Sequence, residues 1–409
     1  MNCRHCGAAL ELPFIDLGAA PPSNAYLEYS DLRQAEMYFP LRVMVCTDCW
    51  LVQTEDFAGA GELFSADYAY FSSFSTTWLR HAEDYVAAIA DRFGLGPDSL
   101  VAEIAANDGY LLQYVKVRGI PCYGVEPTRS TAEVARAKGL EIIEDFFGRT
   151  VAVRLAQQGR QVDLVAANNV LAHVPDINDF VAGFAALLKP TGVATFEFPH
   201  LLRLVAETQF DTIYHEHFSY LSLRAVTRIF ESNGLIVFDV AELPTHGGSL
   251  RVFAQRKDAR PYPASQSVSE LLERERLSGV ETIDYYRGFQ ISAERIRDNF
   301  LAFLFQAKRG GKKVVAYGAA AKGNTLLNFA GVKSDLLSFV VDRNPAKQGK
   351  YLPGSRIPIV REEKLKQIQP DYIVILPWNL ETEIMGQLDY VKTWGGHFVT
   401  AIPELRIRP

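Results

Sequence analysis

Apolar positions recur with two different periods along the chain. From Ser75 the spacing is helical, with Trp78, Tyr85, Ile89 and Phe93 returning to one face at intervals of seven and four. Short apolar runs then alternate with helical stretches. Residues 100–105 (LVAEIA), 122–126 (CYGVE), 140–143 (LEII), 162–167 (VDLVAA) and 193–198 (VATFEF) read as buried strands, with helices expected from Tyr110, over 128–139, 149–157 and 176–188. Such alternation predicts a right-handed, doubly wound parallel sheet. After a helix at 222–233, the runs 235–243 and 249–255 lie close together across Gly247-Gly248 and predict a terminal antiparallel hairpin. Residues 256–267 are polar and Pro-rich, a linker signal, and 268–309 reads as helical. A second α/β unit follows, with strands at 312–318, 336–342, 372–378 and 397–403 and helices at 320–330 and 380–394.

These patterns divide the chain into an N-terminal module (1–66), a central domain (67–258) and a C-terminal Rossmann-like α/β domain (259–409). A doubly wound sheet ending in an antiparallel hairpin is the class I methyltransferase organisation, whereas a dinucleotide-binding domain normally ends in a parallel strand. The N-terminal module, with Pro13, Pro21, Pro22 and Pro40 among short apolar stretches, reads as loop-rich and in need of a staple. Composition supports folded domains throughout, with 48% hydrophobic and 22% charged residues in 409. No apolar run approaches the ~20 residues of a membrane span. The first residues enter directly on a cysteine motif, with no basic-then-apolar leader, so the expected compartment is the cytoplasm. A net charge of −6 argues against phosphate-driven nucleic-acid binding.

The staple is Cys3-x2-Cys6 with Cys46-x2-Cys49, two pairs whose four thiolates suit one tetrahedral, structural Zn²⁺. Disulfides are disfavoured in a reducing compartment, and a redox pair would not need duplication. Cys122, inside a strand, reads as a small buried hydrophobe. The loop 103–112 (EIAANDGYLL) stands where nucleotide-binding α/β proteins carry a glycine-rich turn, although only Gly109 remains of that pattern. Glu126 ends the second strand, placed to accept both ribose hydroxyls of an adenosyl ligand. Residues 144–147 (EDFF) offer an acid and aromatic faces to adenine, and 168–176 (NNVLAHVPD) follow the fourth strand. After the fifth strand, 211–220 (DTIYHEHFSY) concentrates Tyr214, His215, Glu216, His217 and Tyr220, without the HExxH spacing of zinc proteases. Tyr68, Tyr70 and Phe71, just before the first helix, form an aromatic patch that would cover the cofactor.

Together the cysteine pairs, 67–73 (DYAYFSS), 103–112, 124–127 (GVEP), 168–176, 214–220, 245–251 (THGGSLR) and 315–325 (VAYGAAAKGNT) resemble the sugar C-3 methyltransferases of antibiotic deoxysugar biosynthesis, of the tetronitrose and mycarose kind. The resemblance spans the chain. It implies S-adenosyl-L-methionine (SAM) and one structural Zn²⁺ as cofactors and a thymidine-diphosphate (dTDP)-linked 4-keto-deoxysugar as substrate; the linker and the separate cores are compatible with a monomer. Carried onto this sequence, it makes His217 the general base, with Tyr214, Glu216, His173 and Tyr68 around the sugar. SAM contacts would come from Tyr70, Phe71, Ser72, Glu103, Ala105, Asn107, Gly109, Tyr110, Leu111, Glu126, Pro127, Asp145, Phe146, Asn168 and Asn169. His246 and, in the C-terminal domain, Lys322, Asn324 and Asn344 would contact the nucleotide sugar; the turn 318–325 reads equally as a packing turn. His173 is the reserve base, and His215 has no assigned role. A competing reading is an O- or N-methyltransferase, which would need no enolising base. A nucleic-acid-binding protein using the four-cysteine knuckle is opposed by the acidic charge.

Overall fold

A computed structural model describes residues 1–57 and 71–409. The N-terminal stretch, expected to be mostly loop, instead builds antiparallel β1 (Leu12–Ala20), β2 (Phe39–Val45) and β3 (Val52–Thr54), with Val45 opposite both Leu12 and Val52. Leu41, Val43 and Val45 alternate into one core along β2, a period-two signal masked because Met44 between them is buried in another. The first described α-helix, Thr76–Phe93, starts where the Ser75 hydroxyl accepts the Trp78 N–H and stops at left-handed Gly94. Its apolar face buries Trp78, Tyr85 and Ile89, the periodic positions of the sequence.

Seven strands form the central sheet: β4 (Val101–Ile104), β5 (Cys122–Val125), β6 (Glu141–Ile143), β7 (Val162–Asn168), β8 (Leu188–Pro199), β10 (Leu235–Leu243) and β11 (Ser249–Arg256). Their order is β10-β11-β8-β7-β4-β5-β6. The first five run parallel, and β11 lies antiparallel between β8 and β10, which is the expected terminal hairpin. Strand β9 (Ser219–Tyr220) leaves this sheet and pairs with β3 of the N-terminal one, Tyr220 opposite Val52.

The third sheet comprises β12 (Val314–Tyr317), β13 (Val340–Val341), β14 (Ile359–Val360), β15 (Tyr372–Ile375), β16 (His397–Thr400) and β17 (Arg406–Arg408), in the order β14-β13-β12-β15-β16-β17. Only β17 is antiparallel. Three sequence expectations shift here. The strand expected at 336–342 shrinks to two residues because the Leu336 and Leu337 amides turn back onto the Lys333 carbonyl. The helix expected over 380–394 breaks after Gln387 into a tighter turn. The supposed linker 256–267 begins in β11 and ends in the helix Gln266–Ser278, tied down by the Ser265 and Ser267 hydroxyls donating to Asp239.

The N-terminal sheet joins the cores on both sides of it. Cys3, Met44, Cys46, Cys49 and Leu51 pack into the same apolar cluster as Phe184, Phe196 and Phe230 of the central domain. Phe14, Leu41 and Val43 belong to a cluster with Phe300 of the helix Phe289–Arg309 and with Val314 and Val374 of the C-terminal sheet. The lower boundary expected at 66/67 lies outside the described residues. Among the described residues no helix is long and apolar enough to cross a membrane.

Candidate active site

The carboxyl ends of β4, β5 and β7 form the cofactor end of the site. Between β4 and the helix Leu112–Val117 the chain passes through left-handed conformations at Ala105, Asn107 and Gly109, with φ of 56°, 49° and 77°. Gly109 is required twice over, because a Cβ there would also stand 2.3 Å from the Leu140 side chain. Glu126 holds this loop: one carboxylate oxygen accepts the Asn107 N–H at 2.8 Å and the other the Thr128 N–H at 2.9 Å. Each oxygen retains a further lone pair for a ribose hydroxyl. Burial pushes the Glu126 carboxyl above the ordinary glutamate value, and those backbone N–H groups oppose the rise. The loop is roofed by Ser72 and Ser73, whose N–H groups donate to the Asn107 and Asp108 side chains at 2.9 and 3.1 Å. Phe71 lies beside them, against Phe74.

Among the described residues, several buried polar atoms here have no close hydrogen-bond partner: the Oδ1 atoms of Asn168 and Asn169, and the carboxylate oxygens of Glu103, which only the Tyr110 hydroxyl and the Leu112 N–H approach. Buried groups of this kind are normally satisfied, and an adenosyl amino acid with its hydroxyls, ammonium and carboxylate suits them. Burial pushes the Glu103 carboxyl well above the usual range. Tyr110 and Leu111 are buried under the loop, Tyr110 stacked on Trp78. After β6, Asp145 pairs with Arg154 at 2.7 Å and Phe146 is 58% exposed, while its neighbour Phe147 packs on Phe180 and Phe184. Pro127 follows Glu126 at the same strand end. Beneath the site, buried Glu197 on β8 is bound by His81, Thr245 and Arg251.

The histidine-rich end of the site follows β8 in the loop before β9. His217 Nδ1 lies 2.8 Å from the Thr212 carbonyl oxygen, and its Nε2 lies 2.7 Å from the Tyr214 hydroxyl. A carbonyl can only accept, so Nδ1 carries the proton and Nε2 is the basic atom, accepting from Tyr214. Burial, the neighbouring His173 and the Lys322 charge keep this imidazole neutral, far below the ordinary histidine value. His173 stands edge-on, its ring centroid 4.6 Å from that of His217, and donates from Nδ1 to the Glu216 carbonyl at 2.7 Å. Burial holds it at about 4. Glu216 thus orients a histidine with its backbone, while its buried carboxylate accepts from the Asn24 N–H and side-chain amide. His215 turns away, buried near the Phe39 and Pro40 carbonyls.

His246, at φ 55° in the β10–β11 turn, joins the cofactor end: its Nε2 is 3.0 Å from Asn169 Nδ2, and its ring packs on Trp78. The C-terminal domain closes the third side through the helix Ala321–Phe329, where the Thr325 hydroxyl donates to the Ile213 carbonyl at 2.8 Å. Lys322 donates to Asn379 at 2.7 Å and sits over the Trp378 ring. Asn324 is turned away, donating to the Ser23 carbonyl, and the Asn344 side chain accepts the Ala346 N–H in a local turn. Tyr68 and Tyr70 lie outside the described residues. Sequence reasoning missed Thr212, Asp211, Asn24 and Trp378; Asp211 and Thr212 stand in the quoted 211–220 segment, but nothing in their spacing marks them.

The four cysteine sulfurs all lie within 4.8 Å of one another, with Cys3–Cys49 and Cys6–Cys46 each at 3.5 Å. Tetrahedral zinc with bonds of ~2.3 Å separates its sulfurs by ~3.8 Å, so the donor set fits one ion. Gln53 donates to Cys3 Sγ at 3.2 Å, the kind of outer contact that steadies a thiolate ligand.

Family models match along the chain: a zinc binding domain over residues 3–64, a methyltransferase domain over 78–240 and a C-methyltransferase C-terminal domain over 244–403. The C-methyltransferase NovU of Streptomyces niveus is 36% identical over 406 residues, covering 99% of this chain and 96% of that protein. A ubiquinone biosynthesis O-methyltransferase of Methylobacterium sp. (strain 4-46) is 27% identical over 207 residues, 46% of this chain and 82% of that protein. The SAM-bound magnesium protoporphyrin IX methyltransferase of Synechocystis PCC 6803 aligns with 44% of this chain and 79% of its own at 18% identity and a TM-score of 0.33. With the strand order, the four-cysteine cluster and the full-length match to NovU together, the chain belongs to the zinc-containing, SAM-dependent C-methyltransferases.

Proposed function

We propose that this enzyme, acting as a cytoplasmic monomer, methylates C-3 of a dTDP-linked 4-keto-deoxysugar in antibiotic sugar biosynthesis, with His217 as the base. The observation that carries the reading is the state of His217: a buried, neutral imidazole whose Nδ1–H is pinned on the Thr212 carbonyl, leaving Nε2 basic. Carbon becomes nucleophilic only when a proton beside a carbonyl is removed, and a neutral imidazole suits that step. The C-3 proton passes to His217 Nε2, and the C–H electron pair becomes the C-3/C-4 double bond of an enolate. As the sugar enters, the Tyr214 hydroxyl moves its hydrogen bond from Nε2 to the C-4 oxygen, where charge develops. SAM supplies an electrophilic methyl sulfonium; C-3 bonds to the methyl carbon as the C–S bond breaks, leaving S-adenosylhomocysteine. Glu126 and the loop 105–109 orient that donor, Glu216 and His173 shape the sugar side, and Lys322, held by Asn379 over Trp378, supplies positive charge for the nucleotide. The four-cysteine zinc site takes no part in the chemistry. Its four thiolates would fill a tetrahedral ion's coordination and leave no position for water or substrate.

The test is hydrogen–deuterium exchange at C-3 of a dTDP-4-keto-2,6-dideoxy sugar in D₂O, followed by NMR with and without SAM. His217→Asn should lower exchange and methyl transfer by roughly 10²–10⁴. Methyl appearing on oxygen or nitrogen, or exchange undiminished in His217→Asn, would overturn the reading.

A further inference from the structure

Trp378 follows β15 in the C-terminal domain, where that domain meets the catalytic loop. Its indole N–H donates to Asp211 Oδ2 at 2.8 Å. Asp211 is fully buried and directly precedes Thr212, the residue whose carbonyl receives the His217 Nδ1–H. The other edge of the indole presses on the β10–β11 turn, where a Cβ at Gly247 would stand 2.4 Å from the ring. Gly247 follows His246, which is bonded to Asn169 on the cofactor side. The Lys322 ammonium lies 4.7 Å above the same ring, held by Asn379. One side chain thus touches the base-bearing loop, the cofactor-side turn and a half-buried cation.

Packing alone does not account for this arrangement. A buried carboxylate is costly unless it is paired or hydrogen-bonded. An apolar residue at 211 would fill the same space more cheaply, and phenylalanine at 378 would serve as well as tryptophan. Burial lifts the Asp211 carboxyl to about 6 even with Lys322 and the indole N–H opposing it. The chain retains a carboxylate whose side-chain donor comes from another domain, one residue from the carbonyl that sets the tautomer of the base.

We propose that Trp378 is a positioning residue for methyl transfer: by anchoring Asp211 it fixes the Thr212 carbonyl, and thereby the orientation and tautomer of His217, from the C-terminal domain. The proposal rests on the reading of His217 as the base. It gives the C-terminal domain a part in the acid–base geometry besides holding the nucleotide.

Trp378→Phe removes the N–H and keeps a ring. Expected is a fall of about tenfold in kcat and in C-3 deuterium exchange, with the KM for SAM within about twofold. The ¹⁵N shifts of the His217 ring should change from a single Nδ1–H form to a mixture of tautomers. Asp211→Ala should produce the same loss, and the double variant no more than either alone, because the two act in series. Unchanged kcat and exchange in Trp378→Phe, a fixed His217 tautomer, or additive losses in the double variant would each overturn the proposal. If Trp378→Phe does not fold, Asp211→Ala alone is read for kcat, KM and the His217 tautomer by the same criteria. Exchange surviving in His217→Asn would instead count against the base assignment, whereas exchange lost there and intact in Trp378→Phe would remove this inference alone.

Discussion

Replacing Glu197 with glutamine should destabilise the central domain by about 3 kcal/mol at pH 7. The Glu197 side chain is fully buried on β8 and meets Arg251, itself 11% exposed, and His81 at 2.9 Å. Burial by itself would raise this carboxyl, but the His81 hydrogen bond and the Arg251 charge outweigh it and hold the group at about 2, against 4.5 for an ordinary glutamate. At ~1.4 kcal/mol per tenfold change in proton affinity, that difference corresponds to roughly 3 kcal/mol. The structural route gives a similar figure, because glutamine leaves Arg251 as a buried charge without its counter-ion, typically ~3–5 kcal/mol. The folded-state value lies below the unfolded one. The contribution is therefore complete above about pH 4.5 and lost as pH falls toward 2. The gap between wild type and Glu197→Gln should shrink from ~3 kcal/mol at pH 7 to ~1.4 kcal/mol at pH 3. For a domain of this size the neutral-pH loss is roughly 10 °C in Tm, measurable by calorimetry without SAM. A loss below about 1 kcal/mol at pH 7, or a gap as large at pH 3 as at pH 7, would refute the ion-pair reasoning.

Two further outcomes follow from features elsewhere in the fold. Cys46→Ser should lower bound zinc to well below one per chain and loosen the contact between the N-terminal and central domains, since Cys46 also packs in their shared apolar cluster; metal analysis and limited proteolysis would register both. Gly109→Ala places a Cβ on a left-handed residue and 2.3 Å from Leu140, so SAM affinity should weaken about tenfold or more by calorimetric titration, with zinc content unchanged.

The central sheet was legible because its strands are short apolar runs bounded by turn residues, and its helices carry clear 3.6-residue periodicity, as at Trp78, Tyr85 and Ile89. The N-terminal sheet was not. Its β3 is three residues long, and its neighbour β9 comes from a segment more than 160 positions later, so no local pattern announces the pairing. The helix–strand limits in the C-terminal domain failed where apolar residues serve a turn, as at Leu336 and Leu337. Within the site, the side chains with distinctive chemistry, His217, Glu126 and the four cysteines, stood out in the sequence. Their supports did not, because Thr212 acts through a carbonyl that every residue possesses and Glu216 orients His173 the same way. Asp211 and Trp378 meet across 167 positions of sequence, a relation that only the folded chain displays.

The two-residue strand β9 decides how far the N-terminal zinc module is a separable part. Ser219 and Tyr220, on the β3 edge, lie immediately downstream of His217. During synthesis that sheet cannot be completed until more than half of the chain has left the ribosome. A recombination joint placed after residue 66 would leave the module's last strand behind in the other parent. Shuffling this module between relatives should therefore succeed only when the His217 loop travels with it, so metal-binding head and histidine loop are inherited as one piece.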